Sequence, residues 1–225
     1  MVGKKKKTAG ADVASKTGEQ EWFYSKTVKK HFFNPKNFLK SQAELKKIKP
    51  NGTGIVGSPS CGDMMRIWVK IDPKTEKINE CKWQTYGCGS AIASTSVLSV
   101  MVTEKGGMKV EKALKITPQD IMKRLGGLPA RKVHCSVLGD KALRAAINDY
   151  YRNTKQFGKV VEDGKKIIDK VLGTTDNDIE HAVLEGAKTF EEVQQKTKVG
   201  VHDKECIPQV MELIHYYRKK HFNED

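Results

Sequence analysis

The chain is organised around the sequence Tyr86-Gly87-Cys88-Gly89-Ser90-Ala91-Ile92-Ala93-Ser94, which places a cysteine between two glycines and ahead of a predicted helix. Glycine on both sides leaves the sulfur unshielded by neighbouring side chains. The free N–H groups and the positive dipole end of the following helix favour the thiolate form of this cysteine. Thiolates bind metals and attack electrophiles, so Cys88 is the first candidate for a functional residue.

The residues before this motif predict an antiparallel hairpin. Apolar and polar residues alternate from Met65 to Ile71, which is the pattern of a half-buried strand. Turn-forming residues follow at 72–75, and a second strand is predicted over 77–85. Cys61 lies just before the first strand and Cys88 just after the second. Because a hairpin returns the chain to its start, we expect both cysteines at the same edge of the sheet.

Two helices are predicted to begin at cysteines. Residues 90–105 are apolar or small on most sides and predict a well-buried helix after Cys88. A second helix is predicted over 137–151, directly after Cys135. Cys81 differs, because it lies inside the second strand on the same face as Trp83 and is expected to be a core residue.

The composition of the chain indicates its compartment and whether it has a membrane partner. The 225 residues are 38% hydrophobic, and no apolar run approaches the roughly 20 residues of a membrane span. Five widely spaced cysteines favour thiols or metal ligands over disulfides, and therefore a reducing compartment. We expect a cytoplasmic protein with no membrane partner; a mitochondrial or related organelle matrix is the less favoured alternative.

The net charge of +14 is concentrated near the N-terminus. Residues 1–50 hold 13 lysines against four acidic residues, and residues 1–20 show no periodicity. This pattern is typical of a disordered basic leader with a lysine-rich surface beside it. A nucleic-acid-binding face would cluster arginine and lysine with aromatic residues, so we expect no nucleic-acid partner.

Four segments are predicted along the chain: the leader (1–20), a main domain (21–153), a polar linker (154–164) and a small all-α domain (165–225). In the last segment, Thr175 and Thr189 are each followed three residues later by an acid, which is the capping-box pattern of a helix start. A third helix is predicted over 206–221.

Ligand-type residues recur at the predicted element boundaries of the main domain. Cys61, Cys88 and Cys135 each stand beside small or turn-forming residues, and Asp63 and His134 lie close to two of them. Thiolate, imidazole and carboxylate together suit a borderline or soft metal such as zinc or iron. The sequence therefore predicts a metal site.

Three motifs carry a family resemblance: Gly-Ser-Pro-Ser-Cys61-Gly-Asp63-Met-Met, Tyr-Gly-Cys88-Gly-Ser-Ala-Ile-Ala-Ser and Leu-Pro-Ala-Arg-Lys-Val-His134-Cys135-Ser. In order and spacing they resemble the signatures of the IscU/NifU-type iron–sulfur cluster assembly scaffolds. The resemblance extends over roughly residues 22–152.

The resemblance implies an α+β fold, a small three-stranded antiparallel sheet with helices packed on one face, and a scaffold without turnover of its own. It implies that Cys61, Cys88 and Cys135 ligate a transient [2Fe–2S] cluster, with Asp63 or His134 as the fourth ligand and Asp63 keeping the cluster labile. Iron and sulfur are then the cargo.

The same resemblance implies partners. A cysteine desulfurase of the IscS/NifS type would deliver persulfide sulfur to Cys135, and acceptor apo-proteins would receive the cluster. Homodimerisation around the cluster is left open. The chaperone-recognition segment of the family is altered here to Leu128-Pro129-Ala130-Arg131-Lys132, which puts recognition by a dedicated Hsp70-type chaperone in doubt.

The C-terminal segment resembles the BFD-type helical [2Fe–2S] domain found in NifU proteins. That family holds its cluster with a Cys-x-Cys and a Cys-x-x-Cys pair. Here Asp169 and Val171 occupy the first pair of positions, and Asp203 stands in the second with Cys206. One thiol cannot hold a cluster, so we expect a domain that lacks its metal.

A second function stays open from the residues alone. The same ligand set, with Asp63 or His134 beside the three cysteines, also suits permanently bound zinc. A zinc-binding structural or regulatory module is therefore the alternative, and zinc in the purified protein would be compatible with either function.

Overall fold

The computed structural model describes residues 13–16, 19–22, 24–58, 63–129, 132–161 and 166–224. For residues 13–16, residues 19–22, Ser58 and His134 it describes the backbone alone. The elements, in chain order, are β1 (Val13–Lys16), β2 (Glu19–Trp22), α1 (Lys26–Phe33), α2 (Gln42–Ile48), β3 (Gly52–Ser58), β4 (Asp63–Asp72), β5 (Lys77–Tyr86), α3 (Gly89–Thr103), β6 (Met108–Lys109), α4 (Val110–Ala113), α5 (Pro118–Leu125), α6 (Val133–Asn153), β7 (Ile167–Asp169), β8 (Thr174–Thr175), α7 (Asp176–Leu184), α8 (Phe190–Thr197) and α9 (Ile207–Phe222).

The central sheet is antiparallel, with strand order β3-β4-β5-β6. Its three long strands confirm the predicted α+β fold. The alternation in β4 buries Met65, Ile67 and Val69 completely, so one face of the sheet forms the core. The two-residue strand β6 adds a fourth strand beside β5 that the sequence did not indicate, because two residues carry no periodicity.

Helices α3 and α6 pack on the core face of the sheet and against each other. The small residues of α3 are buried nearly all round, as the sequence predicted, and allow this close packing. Strand β3 approaches α6 at Gly54. A Cβ atom there would lie 2.2 Å from the carbonyl oxygen of Ala142, so only glycine fits.

Helix α6 begins at Val133, four residues earlier than the sequence predicted. Cys135 therefore lies within the first turn of the helix and not ahead of it. The hydroxyl of Ser136, in the same turn, lies 3.2 Å from that of Ser94 and is fully buried between α6 and α3. No side chain caps this helix, which removes the usual sequence signal for its first residue.

The predicted basic leader at 1–20 lies largely outside the described residues. Strands β1 and β2 form a short antiparallel pair where no element was expected. Helix α1 lies within the aromatic-rich segment Trp22–Phe38, buries Val28 and ends at Asn34, directly before Pro35.

The C-terminal residues have a hydrophobic core of their own, formed mainly by α7, α8 and α9. Both predicted capping boxes are present, at Thr175–Asp178 and at Thr189–Glu192. The short β7–β8 pair precedes α7. The division at 154–164 stays a prediction, and residues 162–164 within it lie outside the described part of the chain.

The C-terminal helices contact the first half of α6. Val133 and Val137 pack with Leu184 of α7 in one buried cluster, against which Phe222 of α9 also packs. Beside it, Lys141 Nζ lies 2.6 Å from Glu180 Oε2. The turn that carries Cys135 is thus bounded by apolar contacts to the C-terminal helices.

In the ranges described above, no helix combines the length and the apolar character needed to cross a bilayer.

Candidate metal centre

Cys88 is the N-cap residue of α3 and is half-buried. The backbone N–H of Ala91, in the first turn of the helix, bonds to its sulfur. The glycine before it is required by space: a Cβ atom at Gly87 would lie 2.9 Å from Thr85 Oγ1 and 3.1 Å from Asp63 Oδ2. The Gly-Cys-Gly motif therefore brings the backbone close to a carboxylate as well as exposing a thiol.

Asp63, Cys88 and Cys135 converge at the edge of the sheet. Their ligand atoms all lie within 4.8 Å of one another, and within the described residues this is the single group of three or more such side chains. The two Sγ atoms are 3.2 Å apart, and the backbone N–H of Cys88 points to Asp63 Oδ2 at 3.5 Å. Asp63 comes from the start of β4, Cys88 from the start of α3 and Cys135 from the start of α6.

The two cysteines share one proton unequally. A hydrogen bond from the Cys135 thiol is the main cause that lowers the pKa of Cys88 to about 6, helped by the backbone N–H of Ala91. The same hydrogen bond, together with complete burial, raises the pKa of Cys135. At neutral pH, Cys88 is therefore the thiolate and Cys135 the thiol that donates to it.

Lys132 contributes to this electrostatic balance. Its positive charge acts to lower the pKa of both cysteines, and it is half-buried at the N-cap of α6. The signal that could have indicated its role is its spacing, three residues before Cys135 on the same helix start.

The other predicted ligands are only partly visible. Cys61 lies outside the described residues, in the segment that joins β3 to β4, two residues before Asp63. His134 is in the first turn of α6, and the structure describes its backbone alone. Cys81 is buried among apolar residues, and burial raises its pKa to about 12, which confirms it as a core residue.

His31 is held away from the centre by its contact with α3. Its Nδ1 atom lies 2.7 Å from the hydroxyl of Ser96, in the middle of α3. Burial lowers the pKa of His31, and the charges of neighbouring lysines add to this effect. It serves the packing of α1 on α3.

The donor set fits iron or zinc. Two sulfur ligands and one carboxylate oxygen stand at one partly exposed edge, where a further ligand can complete four-coordination. A carboxylate is a harder and weaker ligand for these metals than a thiolate, so Asp63 leaves the site less tightly closed than a fourth cysteine would.

Comparison with known proteins agrees with this geometry. The profile of the NifU-like N terminal domain matches residues 23–157, more than half of the chain. The chain belongs to this family. The iron-sulfur cluster assembly scaffold protein IscU 1 of Archaeoglobus fulgidus is 43% identical over 141 residues, which are 63% of this chain and 85% of that protein. All three residues of the centre lie within the matched domain.

Two proteins named nitrogen fixation protein NifU are also similar. That of Azotobacter chroococcum is 47% identical over 129 residues, which are 57% of this chain and 39% of the relative. That of Nostoc sp. is 34% identical over 194 residues, 86% of this chain and 63% of the relative. The chain therefore spans less than two thirds of either NifU protein. A second profile, the BFD-like [2Fe-2S] binding domain, matches residues 172–215.

Proposed function

We propose that this NifU-family chain is a scaffold on which a labile [2Fe–2S] cluster is assembled from iron and persulfide sulfur and then passed to apo-proteins. The observation that carries the proposal is the convergence of Cys88, Cys135 and Asp63 at the partly exposed edge of the sheet. The family relation to proteins named as cluster assembly scaffolds supports it.

Cys61 and His134 belong to the same proposal. Cys61 precedes Asp63 by two residues, so it is the candidate for the third thiolate. Asp63 or His134 would supply the fourth ligand. A set of three thiolates and one weaker ligand holds iron and still releases a finished cluster, as a scaffold must do.

Sulfur arrives by thiol exchange with a cysteine desulfurase of the IscS/NifS type. A thiolate of the scaffold attacks the terminal sulfur of the desulfurase persulfide; a new S–S bond forms, the old one breaks, and the desulfurase cysteine leaves as a thiolate. Converting the bound persulfide to sulfide then takes two electrons from an external reductant.

The persulfide acceptor assigned from the sequence is Cys135, and we keep it as the residue from which sulfur enters the cluster. In the metal-free protein, however, Cys88 is the partly exposed thiolate, while Cys135 is buried and protonated. We therefore propose that Cys88 receives the sulfur first and that the sulfur of Cys135, 3.2 Å from Cys88 Sγ, then attacks the terminal sulfur of the Cys88 persulfide. A new S–S bond forms on Cys135, the S–S bond of Cys88 breaks, and Cys88 leaves as a thiol that takes the proton of Cys135. The scaffold itself is not an enzyme in this scheme.

The chemistry of the two cysteines also favours a reducing compartment. Two cysteine sulfurs 3.2 Å apart must stay reduced to bind iron, and the cytoplasm or an organelle matrix provides reducing conditions. We propose the cytoplasm. Within the segment altered from the family's chaperone-recognition sequence, residues 130–131 lie outside the described residues, and a chaperone partner stays in doubt.

A zinc-binding module is the second candidate function, because the same donors suit tetrahedral zinc. The two functions differ in whether bound zinc is readily replaced by iron. A scaffold must lose zinc readily, accept iron and sulfide, and release the product. A zinc module must hold zinc against iron in excess.

The test is anaerobic incubation of the full chain with ferrous iron, cysteine, a desulfurase and dithiothreitol, followed by addition of an apo-ferredoxin. The proposal predicts visible charge-transfer absorption on the scaffold and then its appearance on the ferredoxin. Retention of zinc with no visible absorption would support the zinc module instead.

The sulfur path is tested with iron absent, by mass spectrometry of the two cysteine peptides. We expect the added mass of one sulfur atom on Cys88 in the Cys135→Ala variant, and a much slower modification of Cys135 in the Cys88→Ala variant. Equal rates at Cys135 with and without Cys88 would contradict the transfer between them.

A further inference from the structure

The C-terminal helices match a family described as binding a [2Fe-2S] cluster, but their side chains do not fit one. Such clusters are held by four cysteines, or by two cysteines and two histidines on separate irons. Cys206 is the one cysteine in residues 166–224. It is buried, and its thiol donates to the carbonyl oxygen of Asp203 at 3.0 Å. The described C-terminal residues include no group of three ligand-type side chains within metal-binding distance.

A carboxylate stands where two loops of this domain meet. Asp169, the last residue of β7, is completely buried. Its Oδ1 atom accepts the backbone N–H groups of Val171 and Leu172, both at 2.9 Å. Its Oδ2 atom accepts the backbone N–H of Gly200 at 3.0 Å, from the loop that precedes α9.

A second carboxylate strengthens the same connection from the other side. Oδ2 of Asp203, in the loop before α9, accepts the backbone N–H of Lys170 at 3.1 Å. The turn after β7 and the loop before α9 are thus joined by carboxylate oxygens in both directions. Four backbone donors are satisfied in this way by two side chains.

Backbone N–H groups that converge on one point form an anion-binding concavity. A thiolate-ligated iron–sulfur cluster is an anion, and so is an ionised carboxylate that accepts several N–H bonds. Both can satisfy the same donors and fix the same loops. The difference is that a carboxylate needs no metal.

We propose that the carboxylate of Asp169 takes the place of an iron–sulfur cluster in the C-terminal domain, so that this domain folds around an internal anion and binds no cluster. The loops that would surround a metal are fixed instead by the three N–H bonds to Asp169. Iron bound by this chain then belongs to the scaffold centre alone.

The metal part of the proposal is tested in the full chain after anaerobic incubation with iron, sulfide and dithiothreitol. In a variant that combines Cys61→Ala, Cys88→Ala and Cys135→Ala, we expect iron and acid-labile sulfide to fall to background. Cys206→Ala alone should bind as much iron as the unchanged protein. A visible cluster in the triple variant, or loss of iron in Cys206→Ala, would overturn the proposal.

The anion part is tested with Asp169→Asn, which keeps the size of the side chain and removes one accepting oxygen. The matched control is Glu212→Gln, an exposed residue of α9 with the same change of charge. We expect amide hydrogen exchange at Val171, Leu172 and Gly200 to accelerate at least about tenfold in Asp169→Asn and to stay unchanged in the control. Unchanged exchange at these amides in Asp169→Asn would refute the role of the carboxylate.

The iron and sulfide measurement needs no substitution at Asp169, so it tests the proposal even if the Asp169→Asn variant does not fold. It also separates this proposal from the scaffold function. A cluster that persists in the triple variant would overturn the proposal for the C-terminal domain and would leave the scaffold function unaffected.

Discussion

The substitution Cys135→Ala tests the electrostatics of the metal-free centre through the pKa of Cys88. The Cys135 thiol lies 3.2 Å from Cys88 Sγ, and its hydrogen bond is the largest cause that lowers that pKa to about 6 from the ordinary 9.0. Alanine removes the donor. The N–H of Ala91 and the charge of Lys132 remain, so the pKa should rise only part of the way back.

The expected magnitude follows from the titration curve. With a pKa of about 6, about ten thiolates are present for each thiol at pH 7. If the pKa rises to about 8, this ratio becomes about one to ten, and the thiolate fraction falls about tenfold. Alkylation of Cys88 by iodoacetamide at pH 7 should slow by the same factor, because the thiolate is the nucleophile.

The assay is the alkylation rate of the Cys88 peptide between pH 5 and 9, measured by mass spectrometry on chelator-treated protein. Cys206→Ala is the control, because that thiol is buried in the C-terminal core away from the centre. A Cys88 that titrates near 9 in the unchanged protein, or near 6 in Cys135→Ala, would refute the reasoning.

Three further substitutions probe the packing, the ligand geometry and the contact between the domains. Gly54→Ala places a Cβ atom 2.2 Å from the carbonyl oxygen of Ala142 and should lower the free energy of unfolding, measured in urea, by about 3 kcal/mol. The control is Gly57→Ala on the same strand, whose Cβ atom would meet one atom at 3.9 Å and should change this free energy little. Gly87→Ala pushes against the candidate carboxylate ligand and should weaken zinc binding, measured by chelator competition, at least about tenfold; unchanged affinity would argue against that ligand. Burial acts to raise the pKa of Glu180, but the bonds of its carboxylate to cationic groups outweigh burial and hold this pKa well below the usual range. The ionised carboxylate therefore stabilises the fold at pH values above its unfolded pKa, and this stabilisation is lost as the pH falls. Glu180→Gln should therefore destabilise the chain by about 3–5 kcal/mol at pH 7 and flatten the acid limb of its stability curve, and an unchanged acid limb would contradict this.

The sequence was sufficient for the hairpin that brings two of the three residues of the centre together. Alternation in β4 and turn residues after it predict the hairpin, and the hairpin brings Asp63 to within reach of Cys88. The burial of α3 follows from its small and apolar residues. These features depend on local periodicity, which a single sequence expresses directly.

Features that depend on long-range contacts could not be predicted in this way. The start of α6 was placed too late because no side chain caps this helix, so its first residue carries no local sequence signal. The unequal sharing of the proton arises from the hydrogen bond between Cys88 and Cys135 and from the burial of Cys135, which only the packed structure defines. The capping boxes of the C-terminal helices are local, and both were predicted correctly.

The most direct test of the central claim is the iron and sulfide content of the anaerobically reconstituted full chain and of its Cys88→Ala variant. Cys206→Ala is measured beside them as the matched control for loss of a thiol. The scaffold account predicts iron and sulfide in equal amounts in the unchanged protein and in Cys206→Ala, and background values in Cys88→Ala. Full iron and sulfide in Cys88→Ala would contradict it.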